Sequence, residues 1–127
     1  MMGGIVMEEK FGEFIRAKRM EKGITLRLMA TLLGIAPAYM SDIEKGRRYP
    51  PDKEKLFKLS NILGLDISDK DRMFDLAAAE KSDAVSQDIS SYIMDDEIVR
   101  VALRTARRNN ATKAQWQKAI DIFNGKK

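Results

Sequence analysis

Thr25-Leu-Arg-Leu-Met-Ala-Thr-Leu-Leu-Gly-Ile-Ala-Pro-Ala-Tyr-Met-Ser-Asp-Ile-Glu-Lys-Gly46 reads as two short helices that cross at a tight corner. Thr25 is a strong N-cap, because its hydroxyl can accept from an orphan backbone N–H of the first turn. Gly34 ends the first helix after Leu33, since glycine takes the left-handed backbone that closes a helix. Pro37 suits the first turn of the second helix, where a missing N–H costs nothing. Gly46 stops that helix after Lys45. With these bounds Met29, Leu33, Ile35, Met40 and Ile43 share one core face. Small Ala30 falls where the helices meet. Pro37, Ala38, Tyr39, Ser41, Asp42 and Lys45 are left on the outer face of the second helix.

Working outward, helix signals recur and strand signals are weak. A first helix is expected from about Glu8 to Lys22, ending at Gly23. Its apolar stripe is Phe11, Phe14 and Ile15, with the stem of Lys18 covering the stripe's end. Arg47-Arg48-Tyr49-Pro50-Pro51 is an exposed, extended loop. Asp52 caps a fourth helix carrying Leu56, Leu59, Ile62 and Leu63, stopped by Gly64. Ser68-Asp69-Lys70-Asp71 resembles a capping box for a fifth helix with Met73, Phe74 and Leu76. Residues 80–91 are polar and weakly patterned, and read as a linker. Asp95-Asp96-Glu97 opens a sixth helix that Arg104, Arg107 and Arg108 close, in the sense the helix dipole favours. After Asn109-Asn110, Thr112 caps a last helix from Lys113 to about Phe123. The expected fold is therefore all-α: five helices in residues 1–79, a linker over 80–91, and two helices in residues 92–127.

Composition narrows the chemistry. The 127 residues include no cysteine and no histidine. A disulfide framework, a thiolate metal site, a cysteine nucleophile and the commonest general base are thereby excluded. No Gly-rich phosphate loop is present, so no catalytic residue, metal or cofactor is expected and the chain is read as no enzyme. Residues 1–7 lack a basic leader pattern, and no apolar run approaches the ~20 residues that span a bilayer. A cytoplasmic protein with no membrane association is the expectation. The net charge of +4 is unevenly spread: +4 over residues 1–64, −7 over 65–97 and +7 over 98–127.

The exposed outer face of the third helix fits a DNA major groove, about 12 Å wide. At this point residues 11–79 resemble the lambda-repressor-like (Cro/repressor, XRE-type) helix-turn-helix regulators. The resemblance rests on Ile15-Arg16-Ala17-Lys18-Arg19, Gly23-Ile24-Thr25, Met29-Ala30, Leu33-Gly34-Ile35, Ile43-Glu44-Lys45-Gly46, Pro50 and Leu63-Gly64-Leu65, taken at their joint spacing. It implies a five-helix DNA-binding domain and a bacterial or phage transcription regulator. Thr25 and the start of the second helix, with Arg27, would meet a phosphate. Pro37, Ala38, Tyr39, Ser41, Asp42 and Lys45 on the third helix would face double-stranded DNA. Arg47 and Arg48 would grip phosphate or a base edge, and Arg19 with Glu44 would form an internal salt bridge.

Several positions depart from that pattern. Leu26 stands where many relatives carry a DNA-contacting glutamine. Pro37 and Ala38 offer no bidentate hydrogen bonds. Asp42 would accept from a cytosine amino group or pair with Arg47 or Arg48. Tyr39 is either a rim aromatic or a DNA contact. Leu26, Leu28 and Leu32 are expected to be covered.

The tail's apolar set, Ile93, Ile98, Val101, Ala102, Trp116, Ile120 and Phe123, exceeds what two short helices bury alone. It would dock on the head or form a homodimer interface. The leading reading is a dimeric repressor inserting its third helix at a palindromic operator. Its rival is an antitoxin or adaptor whose tail binds a partner protein.

Overall fold

The computed structural model describes residues 9–81 and 84–126. Expectations on residues 1–8, and on residues 82 and 83 of the expected linker, fall outside these. The described residues form helices only: α1 (Phe11–Glu21), α2 (Leu26–Leu33), α3 (Pro37–Glu44), α4 (Lys53–Leu63), α5 (Ile67–Ala79), α6 (Gln87–Asp95), α7 (Glu97–Arg108) and α8 (Lys113–Phe123). None is long and apolar enough to cross a membrane. The chain divides into two compact units, one up to Ile89 and one from Ser90.

The first unit has one core, to which all five of its leading helices contribute. Phe11, Phe14 and Ile15 come from α1, Met29, Ala30 and Leu33 from α2, and Met40 and Ile43 from α3. Leu56, Leu59 and Leu63 of α4 close it with Met73, Phe74, Leu76 and Ala77 of α5. The Phe57 and Phe74 rings meet at 4.9 Å, tilted by 55°, a favourable aromatic geometry. Lys18 lies over the Phe14 ring and donates to Asp69 at 3.0 Å. Asp69 holds the Lys18 ammonium above its ordinary pKa, chiefly through that hydrogen bond.

Local chemistry sets the corner between α2 and α3. Thr25 accepts from the Leu28 N–H at 3.1 Å. Gly34 has φ 74°, and the Ile35 N–H returns to the Ala30 carbonyl at 3.0 Å. These bonds satisfy groups that a helix end otherwise leaves bare. Ala30 is fully buried at the corner.

Three features differ from the sequence reading. α5 begins at Ile67 with Asp66 as its cap, accepting from the Asp69 N–H at 2.8 Å. The capping box expected at Ser68 therefore lies inside the helix; two short polar side chains competed for one role, and the earlier one took it. Second, α6 starts at Gln87, within the expected linker, so three helices follow α5. Ser86 is buried and its hydroxyl donates to Asp75 of α5, which anchors the start of this segment. Asp88 nearby is pushed above the usual carboxylate range by desolvation, reinforced by Asp71 and Asp75. Third, Leu28 and Leu32 are exposed rather than covered, while Leu26 packs against the core.

Gly12 is the position the sequence did not flag. A Cβ there would stand 2.6 Å from the Ile43 carbonyl oxygen and nearer still to that of Glu44. The backbones of α1 and α3 thus touch with no side chain between them. In an open helix Gly→Ala gains about 1 kcal/mol. Here Gly12→Ala should lose about 2 kcal/mol or more by forcing the two helices apart. A thermal melt checks the sign: the midpoint should fall by roughly 10 °C, and a rise would refute the close approach.

Candidate nucleic-acid interface

α3 has a buried side and a free side. Met40, Ile43 and Glu44 are buried, while Pro37, Ala38, Tyr39 and Lys45 are exposed and Ser41 and Asp42 are half-buried. The helix is held at its inner side by Arg19. Its Nε donates to Glu44 Oε2 at 2.7 Å and its Nη2 to Oε1 at 2.9 Å. A third bond, from Nη1 to the Ile24 carbonyl at 2.9 Å, ties in the loop before α2. The side chains are 11% and 4% exposed, so this is a bidentate, largely desolvated pair. Glu44 raises the Arg19 pKa further, mainly through the hydrogen bond, against the opposing cost of burial.

The carboxyl end of α3 gathers four of the expected residues. The Arg48 guanidinium lies 4.6 Å from the centre of the Tyr39 ring, within cation–π range. Asp42 Oδ1 is 3.8 Å from Arg47 Nη1, and its Oδ2 is 3.9 Å from Arg48 Nε. Asp42 therefore faces both arginines at once. The Arg47 N–H closes α3 by donating to the Asp42 carbonyl at 2.8 Å. Thr25 and Arg27 are exposed at the amino end of α2. The Thr25 hydroxyl oxygen is engaged in capping, while its O–H remains able to donate.

Some residues at this surface were not legible beforehand. Glu80 lines a shallow depression of about 550 Å³ together with Tyr39, Arg47, Arg48 and Tyr49. Lys81 lies 5.6 Å from the Tyr49 ring centre. Both fall in the stretch that the sequence reads as a linker, and only the tertiary return of α5 to this loop places them here. An open groove of about 1080 Å³ beside α3 is lined by Lys10 and Arg16 as well as Ser41, Lys45 and Arg48. Among the described residues no cluster of acidic side chains is placed to hold a metal ion.

The expected tail residues lie on α6, α7 and α8. No residue of α7 or α8 is buried. Ile98, Val101, Trp116, Ile120 and Phe123 are exposed, as is Ala102, and Ile93 of α6 is half-buried. Arg100 donates to the Ile93 and Met94 carbonyls at the end of α6.

Two capped helices that meet at a glycine corner, the second with a clear outer face, define a helix-turn-helix domain. Residues 15–70, a little under half of the chain, match the helix-turn-helix family model. It is 38% identical over 60 residues to an ImmF control region 10 kDa protein of Bacillus phage phi105, covering 47% of this chain and 66% of that protein. It is 40% identical over 55 residues to the HTH-type transcriptional repressor RghR of Bacillus subtilis strain 168, covering 43% of this chain and 41% of the repressor. The matches thus span just under two thirds of one curated relative and about two fifths of the other. Among solved structures, a crystal structure of SinR, the master regulator for biofilm formation, in complex with DNA is similar at 33% identity and a TM-score of 0.41. That match covers 46% of this chain and 95% of the other.

The two charged clusters should separate in mutants. Glu44→Ala strands Arg19 in a desolvated site and should cost on the order of 3 kcal/mol of folding stability. Arg48→Ala removes only an exposed side chain and should change stability by less than about 0.5 kcal/mol. Parallel melts of both variants decide this; equal destabilisation would show that the loop arginine, too, supports the fold.

Proposed function

We propose that the protein is a DNA-binding transcriptional regulator, acting as a dimeric repressor that inserts α3 into the major groove. The observation that carries this reading is the outer side of α3. It is free of packing, has two exposed arginines at its end, and is fixed in direction by the buried Arg19–Glu44 pair. The family match and the repressor among the relatives support the class. Occlusion of a promoter is the mechanism consistent with a repressor.

The roles follow from position. Thr25, Arg27 and the free N–H groups opening α2 meet a phosphate, as helix N-termini favour anions. Ser41 and Asp42 face base edges, Tyr39 and Lys45 flank them, and Arg47 and Arg48 take phosphate or a base edge. Pro37 and Ala38 contribute close apolar approach rather than hydrogen bonds. With so few donors aimed at bases, DNA shape carries part of the selectivity.

Dimerisation is assigned to the C-terminal helical segment, residues 92–127. Helices with no buried residue are marginal in water, yet Ile98, Val101, Ala102, Trp116, Ile120 and Phe123 supply an apolar set, with Ile93 preceding it. A second copy covering that set gives the two-fold symmetry that a palindromic operator mirrors, with half-sites ~34 Å or a multiple apart. In sedimentation at tens of micromolar the full chain should be dimeric, and Val101→Asp with Ile120→Asp should be monomeric. A monomeric wild type, or a stoichiometric foreign protein bound through α7 and α8, would instead favour an adaptor.

A gel-shift titration tests the DNA reading. Retardation should weaken with salt, log K falling by about 0.9 per phosphate neutralised for each unit of log salt. Arg48→Ala should lose roughly 1–3 kcal/mol of binding. No retardation of any duplex at low salt would overturn the assignment.

A further inference from the structure

We propose that Asp42 is a specificity-determining residue that makes this surface reject generic DNA. This inference rests on the DNA-binding reading above. Its basis is the juxtaposition at the end of α3 of one carboxylate, two guanidinium groups and one aromatic ring.

Tyr39 positions the Arg48 guanidinium from one side at 4.6 Å. Asp42 faces it from another at 3.9 Å and holds Arg47 at 3.8 Å. Both separations exceed hydrogen-bond reach, so the attraction is Coulombic and undirected. The arginine side chains are 70% and 53% exposed and that of Asp42 is 35% exposed. Such pairs are weak and exchange readily for another anion.

That exchange is what DNA binding requires. When phosphates capture Arg47 and Arg48, Asp42 loses its counter-charge while facing a polyanion. On a generic duplex nothing repays this loss, and the carboxylate repels the backbone. A cytosine placed opposite Asp42 repays it, because its exocyclic amino group donates a hydrogen bond that a carboxylate accepts. The same residue that depresses generic affinity therefore selects one base. Glu80, at the end of α5, lines the depression beside Arg48 and adds negative charge there. It supplies repulsion without a place on α3 from which to read a base.

Asp42→Asn in the full chain keeps the shape and removes the charge. The probes are a random-sequence duplex of about two helical turns, some 20 base pairs, and the sequence that wild-type protein selects from a random pool. Asp42→Asn should bind the random duplex about 5- to 10-fold more tightly at low salt. Its salt slope should steepen by up to about 0.9, one further phosphate. A selection repeated with the variant should lose the cytosine preference at one position per half-site. Glu80→Gln should raise generic binding while selecting the same sequence as wild type.

The inference is overturned if Asp42→Asn binds the random duplex no more tightly than wild type, or selects an unchanged sequence. It is also overturned if Glu80→Gln shifts the selected base in the same way. If wild type retards no duplex, the DNA-binding reading falls with it. If wild type binds and Asp42→Asn matches it, only the role of Asp42 falls.

Discussion

Arg19 joins three segments with one side chain: its own helix, the loop at Ile24 and, through Glu44, the end of α3. The direction of α3 depends on this clamp, and the outer face is useful only if that direction is fixed. The pair works because both partners are satisfied; a half-broken pair leaves a charge in a site already desolvated. Gly12 completes the arrangement by letting the α1 backbone approach the carbonyls of Ile43 and Glu44 directly. A polar clamp and a steric gap thus act on the same turn of α3, and the core contributed by α4 and α5 supports them from behind.

Much of this was readable from residue order. Gly23, Gly34, Gly46, Gly64 and Gly125 all take positive φ, so the stops that punctuate the helices were visible as glycines. The core face of α2 and α3 followed from a helical period with a proline at its start. Gly12 was not legible because an isolated glycine inside a helical stretch carries no pattern; its reason is a contact with a segment some thirty residues away. α6 was missed for the opposite reason. Ser90 and Ser91 dilute its pattern, and Ser86, just before it, is anchored by a hydrogen bond to Asp75.

The candidate site was legible in its members and not in their relations. The sequence left Asp42 open between a base and an arginine, and Tyr39 open between a rim position and a DNA contact. The structure joins these questions, since Asp42, Arg48 and Tyr39 form one cluster. Glu80 and Lys81 enter the same surface only because α5 ends beside the loop after α3. Linear reading has no access to such a return.

The contrast between the helices of the first unit and α7 and α8 has a kinetic side. α8 is opened by a capping box in which Thr112 and Gln115 satisfy each other's backbone groups, and Asp96 accepts from the Ile98 N–H at the start of α7. Caps order the ends of a helix but add no barrier to opening its middle, which buried contacts supply. The amide hydrogens of α7 and α8 are therefore free to exchange with solvent through local openings, whereas those around Phe14, Met40 and Leu59 wait for the whole unit to unfold. One polypeptide accordingly carries two clocks: a slow one set by its core, and a fast one that only an added surface can slow.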